Sequence, residues 1–105
     1  METKSKFDEA KVQKLRAEHG EVFELTEGGE TILARRPTRA DWRKFKAARA
    51  DDKKKIVALE EVFEACLLLP ELDEFDRVLE RKPALADTFG QLLIEIAAGE
   101  DPEGK

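Results

Sequence analysis

A pair of glycines constrains this chain more than any other feature. Gly28 and Gly29 separate two short runs of strand formers, Val22-Phe23-Glu24-Leu25 and Thr31-Ile32-Leu33, in a chain whose other apolar residues recur at helical spacing. Aromatic and β-branched residues suit a pleated, half-buried surface. A Gly-Gly centre permits the positive φ values that a tight hairpin turn demands. The stretch from Glu21 to Arg36 therefore reads as a two-stranded hairpin. Phe23 and Leu25 share one face of its first strand, and Ile32 and Ala34 share one face of the second. Pro37 closes the second strand, because it has no N–H for a ladder. A lone hairpin is marginal in water, so the rest of the chain, or a second chain, must cover it.

The rest of the chain reads as helices. Phe7 to His19 carries a thin apolar stripe and stops at Gly20, a residue suited to a left-handed helix end. This first helix is expected to dock loosely. Thr38 has the character of an N-cap, with Asp41 three residues on. The helix from Arg39 to about Ala50 places Trp42 and Phe45 at helical spacing, both facing the core. Asp51-Asp52 is either a fresh cap or a short break. Lys53 to Leu69 is the strongest helix, with Ile56, Leu59, Val62, Phe63, Cys66 and Leu67 at three- and four-residue steps. It turns apolar all round at Leu67-Leu68-Leu69, and Pro70 stops it. Leu72, Phe75, Val78 and Leu79 mark a short helix ending near Arg81. Pro83 opens the last one, with Leu85, Phe89, Leu92, Leu93 and Ile96 inward and Gly99 at its end. The expected fold class is α+β, mostly helical, with one N-terminal β-hairpin followed by a small bundle of about four helices. Residues 1–20 form the N-terminal helix, 21–99 a single globular domain, and 100–105 a disordered tail.

A length of 105 residues makes one domain. The single cysteine, Cys66, excludes an internal disulfide and points to a reducing compartment. No apolar run is long enough to span a bilayer, and the N-terminus lacks the apolar stretch of a signal peptide. The cytoplasm is the expected location. Charge is plentiful, at 41 % of residues, and the net value of −5 disfavours nonspecific nucleic-acid binding. It is unevenly spread, however. From Arg35 to Lys55 ten basic residues face three acidic ones, a local +7, which leaves −12 for the remainder of the chain.

The residues that could carry chemistry are sparse. His19, the one histidine, stands at a predicted helix end, where an imidazolium would meet the negative end of the dipole. Cys66 lies on an apolar helix face, where a thiol is inert, and no base is placed beside it. With one histidine and one cysteine, no zinc site is expected. The carboxylates Glu60, Glu61, Glu64, Glu71, Asp73, Glu74 and Asp76 fall on polar helix faces and read as solvated. Gly28-Gly29 is not a phosphate cradle, because a strand rather than a helix follows it. No enzymatic activity and no cofactor are expected.

The stretch from Glu21 to Gly99 resembles the tail assembly chaperones of long-tailed bacteriophages and related prophages. Three pieces carry the likeness. They are the hairpin Val22-Phe23-Glu24-Leu25…Ile32-Leu33-Ala34-Arg35 running into Arg36-Pro37-Thr38-Arg39-Ala40-Asp41-Trp42; the helix ending Leu67-Leu68-Leu69-Pro70; and Leu79-Glu80-Arg81-Lys82-Pro83-Ala84-Leu85 with the closing helix to Ala97-Ala98-Gly99. The resemblance implies a non-enzymatic role, coating the tape-measure protein and helping to recruit tail-tube subunits around it, in the cytoplasm of a bacterial host cell. No functional residue is transferred from the family.

From the residues themselves, a candidate partner surface comprises Phe23, Leu25, Ile32 and Leu33 on the hairpin with Arg36, Arg39 and Arg43 beside it. The hairpin edge could add a strand from a client or from another copy, giving a homo-oligomer. One hairpin face is expected on the helices, with the other either wet or sticky. The alternative function is small nucleic-acid binding through the basic Arg35–Lys55 region. No membrane partner is expected.

Overall fold

Helices enclose the hairpin from both sides and lend it a third strand. The computed structural model describes residues 7–100. In chain order the elements are α1 (Glu9–His19), β1 (Val22–Glu27), β2 (Glu30–Arg35), α2 (Arg39–Arg49), a 3₁₀ turn (Lys55–Val57), α3 (Ala58–Cys66), β3 (Leu67–Leu69), α4 (Leu72–Arg81) and α5 (Leu85–Ala97). The sheet is antiparallel, in the order β1-β2-β3. Phe23 pairs with Ala34, Leu25 with Ile32, and Glu27 with Glu30. Gly28 and Gly29 adopt φ values of 58° and 81° to make the two-residue turn, as the Gly-Gly pair requires.

The expected class is corrected in its arrangement. Mostly helical α+β holds, but the hairpin is not N-terminal with a bundle after it. A helix precedes it, and the described residues hold five α-helices and a three-stranded sheet. The missing strand was hidden in Leu67-Leu68-Leu69. A short run apolar on every side suits a buried strand as well as a helix. Pro70 disfavours helical geometry at the residue before it, and β2 offers an open edge, so Leu69 pairs with Leu33 and Leu67 with Ala34.

The start of the strong helix is corrected as well. Asp51 captures the chain first: its side chain accepts from the Lys53 N–H at 2.8 Å, and its carbonyl accepts from the N–H groups of Lys54 and Lys55. The backbone then passes through the 3₁₀ turn, and α3 starts only at Ala58. Ile56 is left 77 % exposed instead of joining the core. The expected disordered tail lies, apart from Glu100, outside the described residues.

Local signals elsewhere behave as chemistry dictates. Thr38 and Asp41 form a capping box at the start of α2. The Asp41 N–H donates to Thr38 Oγ1 at 3.1 Å, and the Thr38 N–H donates to Asp41 Oδ2 at 2.8 Å. Gly20 ends α1 at φ 85°.

The two sheet faces are buried separately. Phe23, Leu25, Ile32 and Ala34 face the main core, with Phe45, Val62, Cys66, Leu93 and Ile96. At its centre Phe63, Phe75 and Phe89 form a mutual triad with ring centroids 5.4–6.1 Å apart, in the offset and edge-on arrangements aromatic rings favour. Gly90 lets α5 touch α3: a Cβ there would stand 2.3 Å from the Leu59 carbonyl oxygen. On the opposite sheet face, Val22 and Leu33 meet Val12 of α1, with Phe7, Leu15, Leu68 and Leu69 partly buried around them.

Candidate protein interface

The hairpin residues expected to meet a partner are spent inside the molecule. Phe23, Leu25, Ile32 and Leu33 are at most 4 % exposed. The sheet needed both faces covered, and α1 takes the face expected to be wet or sticky. What the sheet leaves without a strand neighbour, among the described residues, is the outer edge of β1 and that of the three-residue β3.

Arg36 also belongs to the framework. Its guanidinium stacks over the Phe23 ring at 5.2 Å, pairs through Nε with Glu21, and donates through Nη1 to the Ile96 carbonyl at 2.8 Å. Helix α5 has no basic residue in its last turn. Arg36 supplies, from another element, the cation its negative end favours. Arg35 has a similar post. Its Nη1 donates to Asp41 Oδ2 at 2.8 Å and its Nη2 to the Ala65 carbonyl at 2.8 Å, tying β2 to α2 and α3. Burial opposes ionisation of Asp41. The hydrogen bond from Arg35, those from the Thr38 backbone and hydroxyl, and the Arg35 charge outweigh it and hold the carboxyl below its ordinary range.

Arg39 and Arg43, in contrast, are exposed. With Lys46 they line the solvent side of α2, away from the buried Phe45 and Ala48, and Ala40, Ala47 and Ala50 are exposed as well. Lys46 and Arg49 lie 5.7 Å and 5.6 Å from the centres of the Trp42 and Phe45 rings. Among the described residues, Arg39, Arg43, Lys44, Lys46, Arg49, Lys53 and Lys54 have no carboxylate within ion-pair distance. In an acidic protein this is a concentrated and unneutralised cationic face. Beyond its end projects the 3₁₀ turn, with Ile56 as an apolar knob and Val57 37 % exposed. Sequence periodicity places Ile56 in the core stripe; the signal against that is the Asp51-Asp52 break.

The remaining candidates for chemistry stand apart from one another. His19 ends α1, 3.9 Å from its neighbour Glu18. Cys66 is fully buried, and burial pushes its thiol up to about 11, so it is not a thiolate near neutrality. Burial also raises Glu64, helped by the nearby charges of Glu60, Asp76 and Glu61. No group of three His, Cys, Asp or Glu among the described residues is placed to hold a metal ion. The cavity between α2 and α3, lined by Asp41, Lys44, Phe45, Ala58, Glu61, Val62 and Ala65, measures ≈ 50 Å³. That admits water rather than a metabolite. No helix among the described residues is long and apolar enough to cross a membrane.

The same fold occurs in another protein. The chain is similar to the solved structure of the uncharacterised protein rbstp2171 from Bacillus stearothermophilus, with a TM-score of 0.71 over 90 % of this chain and 98 % of that one, at 21 % identity. Likeness at that identity concerns the fold alone. No family model matches the chain, and no curated protein does. The shared architecture thus comes without an assigned activity, and the surface itself has to carry the functional argument.

Proposed function

We propose that this chain is a non-enzymatic binding protein of the phage or prophage tail assembly chaperone kind, acting on tape-measure and tail-tube proteins. The observation that carries the reading is the cationic face of α2, whose Arg39, Arg43 and Lys46 have no carboxylate within ion-pair distance among the described residues. Arg39, Arg43 and Lys46 would pair with acidic side chains of a client, and Ala40, Ala47 and Ala50 leave room for a helix to lie close. A guanidinium can take a carboxylate in two parallel hydrogen bonds, which adds geometry to charge. The outer edge of β1 offers backbone groups to a client strand or to another copy. The sequence resemblance supports the choice of client. A long helical protein with exposed apolar stripes needs a soluble, charged companion until its tube assembles.

Co-expression with the tape-measure protein encoded nearby tests the reading. The expected result is a stable complex and a soluble client, both lost on Arg39→Glu/Arg43→Glu. Nucleic-acid binding is the second reading, favoured by the same unpaired cations. It predicts retardation of DNA or RNA that weakens steeply with salt. An insoluble client, no complex and salt-sensitive retardation together would replace the first reading by the second.

A further inference from the structure

The cationic face ends beside an acidic one, and the order of groups across the boundary is self-complementary. The exposed Lys53 and Lys54 come just before the exposed Ile56 in the chain, while Lys55 is already engaged with Asp52 at 3.5 Å. One helical turn after Ile56 comes Glu60, where the acidic side begins. There Glu60, Asp76 and Glu80 rim an open depression of ≈ 350 Å³ that includes Leu79 and Pro83 in its lining. None of these three carboxylates has an ion-pair partner among the described residues. Burial raises the carboxyl pKa of Glu64, and the charges of Glu60, Asp76 and Glu61 add to the rise. Along the chain the order of features is cation, apolar knob, then a shallow acidic depression that Leu79 and Pro83 help to line.

We infer that two copies of this chain associate about a two-fold axis at this boundary, each setting its Ile56 knob into the other's depression, with Lys53 and Lys54 against Glu60, Asp76 and Glu80. The occupant follows from complementarity. What the knob requires is an apolar recess with a negative rim, and what the depression requires is an apolar tip with positive flanks. The chain carries both, next to each other. Because the two halves adjoin, a two-fold operation satisfies both at once and closes the assembly. A parallel arrangement would set like charges together. The contact is small and its rim charged, so the dimer is expected to form reversibly and to be sensitive to salt.

Sedimentation velocity on the full chain tests this with two charge-reversal variants. Variant one is Lys53→Glu/Lys54→Glu; variant two is Asp76→Lys/Glu80→Lys. All four positions are exposed, and circular dichroism melts verify that each variant keeps its fold. The wild type is expected to dimerise with rising concentration at low salt and to dissociate in about 1 M salt, where screening acts within about 3 Å. Each variant alone should dimerise at least about tenfold more weakly, because like charges now face each other. Mixed together, they should regain a 1:1 dimer, since each variant's knob then meets an opposite rim. Ile56→Asp should also weaken the wild-type dimer. A wild type that stays monomeric, a dimer that persists in both variants, or a mixture that stays monomeric would overturn the inference.

Discussion

The two faces of the sheet show how unequally one structure can spread its stability. On one side, Phe23, Leu25, Ile32 and Ala34 are sealed by residues from four helices around the Phe63–Phe75–Phe89 triad. On the other side a single helix lies across the sheet, and Val12 is the one residue of α1 that is buried. A fully buried large apolar side chain stabilises by roughly 1.5–3 kcal/mol, so the first face holds many such contributions and the second only a few. Opening free energies within one protein follow such differences. The difference predicts that α1 opens locally at lower free energy than the sheet and α3–α5.

The comparison can be broken most forcefully from the thick side. Phe89→Ala removes the ring that meets both other members of the triad and should cost roughly 3–5 kcal/mol, read as a large drop in the urea midpoint. Phe23→Ser, which would be harmless if Phe23 were a surface residue, should be comparably damaging; a soluble variant with unchanged stability would contradict the burial of that face. Next in size is Asp41→Ala, which removes the acceptor shared by Arg35 and the Thr38 N–H. A hydrogen bond to a charged group contributes about 1.5–3 kcal/mol, and thermal melts should show a loss of that order. The same contact has a pH signature. The Asp41 carboxyl is held below its ordinary 3.8, so its contribution is fully present above that pH. It is lost as pH falls through the lowered folded value. The melting difference between wild type and Asp41→Ala should therefore shrink in acid.

Smaller effects sharpen the contrast. Val12→Ala should cost on the order of 1.5 kcal/mol, from about 0.8 per buried methylene-sized group, and its signature is local. Amide exchange should accelerate in α1 and at Val22 and Leu33, while α3 and α5 keep their protection. Uniform acceleration over all elements would mean that the two faces form one cooperative unit. Ile56→Ser should leave stability within about 0.5 kcal/mol, although its residue stands in line with the core stripe of α3 in the sequence.

Ile56 and Leu67–Leu69 also mark where sequence reading failed. A helical period extended past its ends places both in one helix. The period survives in α3, where Val62, Phe63 and Cys66 are buried as spaced. Its ends were settled by competitors that periodicity does not weigh: Asp51 capturing backbone N–H groups on one side, and the open edge of β2 recruiting Leu67–Leu69 on the other. The candidate site was legible only in part. Arg39 and Arg43 are four residues apart, and helical geometry alone sets them on one face of α2. Arg36 was not separable from them, because its Phe23 and Ile96 contacts join residues distant in the chain. Of the four apolar hairpin residues, Phe23, Leu25 and Ile32 pack into the main core and Leu33 lies under α1, whose thin apolar stripe gives little warning of that cover.

The features legible in the chain alone act within a few residues: the Gly28-Gly29 turn, the Thr38–Asp41 capping box, the stop at Gly20 and the inward faces of α3 and α5. Those depend on dihedral preference, local hydrogen bonding and side-chain period, all of which are properties of short segments. Tertiary structure alone decided the third strand, the cover on the second sheet face and which cations stay unpaired. Each of these is a competition between distant segments for the same backbone edge, apolar surface or carboxylate, and its outcome depends on which of them the fold brings together.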